Sequence, residues 1–170
     1  MENIIVQTTK LKFDKIDMKI LKRLQENSNI SNLQLAAEIG LSAAPTMERV
    51  KKLEKARIIK RYHAEVNELA LGLGIKAFIQ ISLTRQIDNV MSKFNEHIRE
   101  IDEIVGCWQV TGNFDYMLKV FAKDMSAFEM LIGNKLSKIE EIRQMQTMMI
   151  LSQTKDKKAV PIDYELETKQ

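Results

Sequence analysis

Apolar residues fall at helical spacing three times in the first third of the chain, and each run carries its own start signal. Ile16, Ile20, Leu21 and Leu24 form one stripe, predicting a helix over 14–25 with Asp14 as N-cap and Phe13 and Met18 at the two staple positions. A second helix opens on a Ser31–Gln34 capping box, with Ile30 and Leu35 as its staple, and stops at Gly40. A third starts at Ser42 and runs to Lys55 or Ala56. Pro45 is its third residue, where a missing N–H costs nothing, so the Ser42 hydroxyl has only the Ala44 N–H to cap. At 100° per residue, Met47, Val50, Leu53 and part of Thr46 face the core, while Pro45, Glu48, Arg49, Lys52 and Lys55 lie opposite or on the flanks. Two helices joined by a tight glycine turn are the sequence form of a helix-turn-helix. The partly alternating stretch from Ile58 to Val66 then reads as a short strand or wing.

Beyond a glycine-containing stretch over 67–75 the period changes to two. Ala77, Ile79, Ile81 and Leu83 alternate with Phe78, Gln80 and Ser82, predicting a strand. Val90, Met91, Phe94 and Ile98 place a helix over 88–100, and Val105, Cys107, Trp108 and Val110 a strand over 104–111. Gly112-Asn113 reads as a two-residue hairpin turn into a strand over 114–122. Ser126 and Glu129 form a capping box, with Met125 and Met130 as its staple, for a helix through Ile139; a last strand spans 142–152. Strand, helix and strand occur twice at offsets of 37 or 38 residues. That is the ferredoxin-like βαββαβ order, an antiparallel sheet with both helices on one face. Its other face keeps apolar residues, which pairing with a second copy would cover.

Charge separates the two halves. Residues 1–66 hold 13 Lys/Arg against 8 Asp/Glu, whereas residues 67–170 hold 13 against 15. The basic excess travels with the helix-turn-helix, where a phosphate backbone would need it. Ser42, Pro45 and Thr46 begin the third helix. Arg49 is the best candidate for gripping guanine or a phosphate, and Lys51, Lys52 and Lys55 suit phosphates. Double-stranded DNA is the expected partner.

The ingredients of an enzyme are missing. His63 and His97 fall in different halves, Cys107 is the single cysteine, and there is neither a P-loop nor a dinucleotide glycine pattern. No metal and no cofactor is expected. With no long apolar run and no export signal over residues 1–7, the expected location is cytoplasmic.

The chain resembles the Lrp/AsnC (feast/famine) regulators from about Leu11 to about Pro161. The N-terminal likeness rests on Asp14-Lys15-Ile16-Asp17, Leu35-Ala36, Gly40-Leu41-Ser42, Arg49-Val50 and Leu53-Glu54. The C-terminal likeness rests on the run from Val110 to Val120. The resemblance implies an α+β chain: a winged helix-turn-helix over 1–62, a linker strand over 63–75, and a ferredoxin-like effector-binding and oligomerisation domain over 76–170. It implies a homodimer that assembles further, to an octamer, with an amino-acid effector held between dimers. The implied contacts are Thr111, Gly112, Asn113, Phe114, Asp115 and Tyr116, with Met145, Gln146 and Thr147 on the last strand. Backbone N–H groups beside Gly112 can hold a carboxylate and Asp115 an ammonium, although a hairpin needs Gly112-Asn113 anyway and Asp115 can satisfy backbone donors. Two positions depart from the family. Arg57 replaces a glycine after the third helix, and Met145 a hydroxyl residue in the last strand. The competing reading is a stand-alone amino-acid-sensing module without DNA binding.

Overall fold

The computed structural model describes residues 13–85 and 87–162. The reading of residues 1–7 therefore lies outside the described residues. The chain divides into two compact units. One runs to Glu65 and includes the segment from Lys155; the other holds Val66–Thr154. The segment over 155–162 thus groups with the helical unit. Two hydrogen bonds explain its placement: the Gln25 side-chain amide donates to the Val160 carbonyl at 3.3 Å and accepts from the Val160 N–H at 2.8 Å. A side-chain amide presents the donor and acceptor of a neighbouring strand, so one glutamine fixes one residue of extended chain. Lys158 adds an ion pair to Glu65 at 3.1 Å.

The first unit contains α1 (Lys15–Glu26), α2 (Asn32–Ile39) and α3 (Ala43–Lys55). Asp14 caps α1 reciprocally with Asp17, Ser31 caps α2 reciprocally with Gln34, and Gly40 ends α2 in the left-handed conformation at φ 77°. Ile20, Leu35, Ile39 and Leu53 form the core between the three helices. Ser42 makes no side-chain cap, contrary to expectation. Its carbonyl instead accepts from both the Thr46 N–H and the Thr46 hydroxyl. The Asn32 amide donates to the Ala43 carbonyl at 2.8 Å and ties α2 to the first turn of α3. No strand forms over 58–66; the chain there bends at 58–59, is mostly exposed, and pairs with no strand among the described residues.

The second unit is a four-stranded antiparallel sheet in the order β2-β3-β1-β4, with β1 (Ile75–Leu83), β2 (Ile104–Gln109), β3 (Tyr116–Ala122) and β4 (Ile142–Met149). Helix α4 (Asp88–Arg99) connects β1 to β2, and α5 (Met125–Met130) leads from β3 towards β4. Alternation puts Ala77, Ile79 and Ile81 of β1 beside Leu118 and Val120 of β3 on the helix side. Phe94 and Ile98 of α4 and Phe128 and Leu131 of α5 cover them. Each such side chain fully withdrawn from water contributes about 1.5–3 kcal/mol.

Two local expectations fail here. The cap of α5 is Asp124, accepting from the Ala127 N–H at 2.8 Å, and not Ser126. Beyond Met130 the helix widens to a π turn over Leu131–Lys135 and tightens to a 3-10 turn over Leu136–Lys138. Those turns bring both Leu131 and Leu136 into the core. On the opposite sheet face, Phe78, Gln80, Met117, Lys119, Phe121 and Met148 are half-buried or exposed. Trp108 lies over Gly106 there, so closely that a Cβ at Gly106 would overlap the indole ring.

Candidate functional site

The solvent-facing side of α3 differs from the one periodicity predicts. Thr46 is completely buried, and its hydroxyl is spent on the Ser42 carbonyl at 2.9 Å, so it is removed from the DNA-contact set. Met47, expected in the core, is 44% exposed. The open face runs through Ala44, Met47 and Glu48 to Lys51, Lys52 and Lys55. Ser42 is exposed at its start and Pro45 is half-buried on its flank. The first half of this face is apolar and acidic; the second half carries three lysines and one acid, Glu54.

Arg49 is held within the protein. Its Nη1 reaches Asp17 Oδ1 at 2.7 Å and Asp14 Oδ2 at 2.6 Å, bridging α3 to the capped start of α1. Asp17 is only 3% exposed. The Asp17 and Asp14 hydrogen bonds raise the Arg49 pKa above its ordinary value against the opposing effect of burial. Burial works to raise the Asp14 carboxyl, but hydrogen bonds from the Asp17 backbone, the Arg49 guanidinium and the Ile16 backbone outweigh it and hold the carboxyl below the usual range. The expected base reader is thus a strut between two helices.

The end of α3 carries a rare feature. Arg57 stands at φ 55°, the single positive-φ residue other than glycine among those described. The Ile58 N–H returns to the Leu53 carbonyl and the Arg57 N–H to the Glu54 carbonyl, a Schellman closure. The family's glycine position therefore keeps its left-handed backbone with an arginine in it, and its side chain is exposed. Tyr62 donates to Glu54 at 2.8 Å; burial and that carboxylate push its phenol up to about 12.

In the second unit the β2–β3 connection is wider than a two-residue turn. The Val110 N–H donates to the Asp115 carbonyl, leaving a four-residue loop over 111–114, with Gly112 at φ 116°. Asp115 anchors that loop: its N–H donates to the Ile81 carbonyl and its Oδ2 accepts from the Leu83 N–H at 2.8 Å. Two open cavities flank the loop. One, of about 740 Å³, is lined by Gln80, Gln109, Val110, Thr111, Asn113, Phe114 and Met117. The other, of about 430 Å³, includes Thr111, Gly112, Phe114, Asp115 and Tyr116 with Leu83 and Met91.

All six loop residues of the expected effector site thus line one cavity or the other. Tyr116 is 3% exposed and packs its ring 4.7 Å from Phe94, and burial raises its pKa. The β4 residues are not brought together. Met145 and Thr147 pair with Ile81 and Ile79 on the helix side, whereas Gln146 pairs with Gln80 on the other, and none of the three lines either cavity. Gln80, Gln109 and Met117 are lining residues that the sequence pattern missed. Their only signal is a polar or flexible residue on the non-core side of a strand.

Among the described residues no cluster of His, Cys, Asp and Glu could hold a metal, and no helix is long and apolar enough to cross a membrane. A basic three-helix unit followed by an antiparallel sheet with a cavity-flanked loop defines a class of DNA-binding regulator with a ligand-binding domain. Two families match along the chain: the winged helix-turn-helix DNA-binding family over residues 13–60 and the Lrp/AsnC ligand binding domain over residues 76–160. The leucine-responsive regulatory proteins of Escherichia coli K12 and Klebsiella pneumoniae are each 36% identical over 142 residues, covering 84% of this chain and 87% of theirs. A Neisseria meningitidis transcriptional regulator solved as an L-Met complex superposes with a TM-score of 0.86 at 32% identity, covering 89% of this chain and 98% of that one. An AsnC family regulator of Agrobacterium tumefaciens gives a TM-score of 0.84 at 30% identity, covering 91% and 100%. The chain belongs to the Lrp/AsnC family of DNA-binding transcriptional regulators, which are not enzymes. The reading as a module without DNA binding is thereby set aside.

Proposed function

We propose that this cytoplasmic regulator binds operator DNA sequence-specifically as a homodimer or a larger assembly, up to an octamer, and that an amino acid modulates it in controlling amino-acid-related metabolism. The observation that carries the reading is the exposed Lys51–Lys52–Lys55 half of α3 in a basic three-helix unit. These lysines and Ser42 contact phosphates, with Pro45 on the flank of the inserted helix, while Arg49 positions α3 from behind. The half-exposed sheet face bearing Trp108, Phe78 and Met148 supports pairing with a second copy. Such a dimer would set two α3 helices about one DNA turn apart.

The effector reading rests on the loop over 111–114. Its backbone N–H groups suit a carboxylate, and Phe114, Val110 and Met117 suit an apolar side chain. The L-Met bound by the Neisseria relative supports an amino acid of this kind. A gel shift across salt concentrations tests the DNA face: Lys52→Ala should flatten the slope of log affinity against log salt by about 0.9 per bound protomer, about 1.8 for a dimer. An unchanged slope for single alanine variants at all three lysines would refute this face. Thermal-shift screening of the full chain against the twenty amino acids tests the ligand, and stabilisation by none of them would remove it.

A further inference from the structure

We infer that Met47, one helical turn from Ala44 on the open face of α3, reads thymine in the operator through the base's C5 methyl group; this deepens the DNA-binding reading and rests on it. Three observations converge on Met47. Thr46, one residue before it, and Arg49, two residues after, are both withdrawn: one is fully buried on the Ser42 carbonyl and the other is clamped by Asp14 and Asp17. Met47 is the large apolar side chain left exposed on α3, at 44%, on a helix whose second half exposes Lys51, Lys52 and Lys55 beside Glu54, which is bonded to Tyr62. Ala44, three residues earlier, is also exposed and apolar, so the two share one face.

Charge order along the helix separates the tasks. Lysines in the second half suit phosphates, which carry affinity without sequence information. Residues in the first half of the second helix of such a unit meet base edges. In the major groove the one apolar group a base pair offers is the thymine methyl. A thioether on three rotatable bonds adapts to that methyl where a branched side chain would need one fixed approach. Glu48, beside Met47 and also exposed, cannot approach a phosphate without repulsion and instead suits the N4 amino group of cytosine. The expected half-site therefore carries thymine next to cytosine on the strand facing the start of α3.

Withdrawing one methyl group from water corresponds to about a fourfold gain in affinity. The test uses the full chain. Selection from a random duplex library yields its operator, and each thymine is then replaced in turn by uracil, which lacks only the methyl. The parent should lose about fourfold at one or two thymines per half-site and nothing elsewhere. Met47→Ala should bind more weakly overall, lose its sensitivity to uracil at those thymines, and keep the parental salt slope and melting temperature, because the side chain is not in the core. Met47→Leu should retain part of the sensitivity. A parental uracil profile in Met47→Ala, or no thymine sensitive in the parent, would overturn the assignment while leaving operator binding intact. Selection that enriches no sequence would overturn sequence-specific binding itself, and the assignment with it.

Discussion

Replacing Arg49 by alanine separates a strut from a DNA contact. The substitution removes two charge-assisted hydrogen bonds, of 2.7 Å to Asp17 and 2.6 Å to Asp14. They differ in weight. Asp17 is almost fully buried, so its bond is worth about 1.5–3 kcal/mol, the range for hydrogen bonds to charged groups. Asp14 is half-exposed and its pairing is screened by water, which limits it to about 0–1 kcal/mol. Arg49→Ala should therefore destabilise the three-helix unit by about 2–3 kcal/mol, or about 10 °C or more in a unit of this size. A cycle with Asp17→Asn should return a coupling of about 1.5 kcal/mol.

Two spectroscopic signals distinguish the units. Trp108, the single tryptophan, lies in the sheet unit, while circular dichroism at 222 nm also follows the three helices. Urea unfolding of Arg49→Ala should advance the helical transition and leave the fluorescence transition in place. Acid should have a related effect. The Asp14 pKa is depressed by folding, so its contribution is complete above about pH 4 and disappears as pH falls through the lowered value. Arg49→Ala should reduce that part of the acid dependence to the share held by the Asp17 and Ile16 backbone hydrogen bonds. Below the melting range the variant should keep the parental salt slope, because a strut neutralises no phosphate. A parental helical transition together with a slope reduced by about 0.9 per bound protomer would refute the strut and restore Arg49 to the DNA face.

The remaining predictions address single positions. Arg57→Gly relieves a left-handed backbone with a side chain and should stabilise the three-helix unit by about 1 kcal/mol in urea titrations; a loss of stability would mean that the arginine makes a compensating contact. Asp115→Ala leaves the Leu83 N–H without its acceptor and should cost the sheet unit about 1–3 kcal/mol by Trp108 fluorescence, whereas Asp115→Asn should restore most of it. If Asp115→Asn is stable but has lost an amino-acid response, the carboxylate charge also serves the ligand; an unaltered response confines it to the loop. The Cys107 residue is exposed, but desolvation by its neighbours pushes the thiol up to about 11, so at pH 8 it should alkylate more slowly than an ordinary cysteine and accelerate as pH rises towards that value. Alkylation at the ordinary rate would show that the thiol is well hydrated.

What was legible in the sequence was local. Asp14 as an N-cap and Ser31 with Gln34 as a capping box announce two helix starts, and both form as read, while the reciprocal bond from the Asp14 N–H to Asp17 is an addition of the structure. Alternation over β1 and β3 fixes which residues face the helices, because a one-residue slip would turn every core side chain into solvent. The roll of α3 was not legible, and the reason is a partner distant in sequence. Judged by its own residues, α3 buries Met47 more readily than Thr46 and exposes Arg49. Asp17, buried three helical positions into α1, reverses that choice, since leaving its carboxylate unpaired would cost more than exposing a thioether. Thr46 fits the interior because its hydroxyl has an acceptor four residues back in its own helix. The expected β4 contacts separate for a local reason instead. Three consecutive strand residues cannot share a face, so Gln146 lies across the sheet from Met145 and Thr147 whatever ligand the loop holds. The set of α3 residues left exposed therefore follows from an ion pair on the far side of the helix, and Asp17→Asn should alter the sequence selected from a random duplex library although Asp17 itself is buried; an unchanged selected sequence would refute the link.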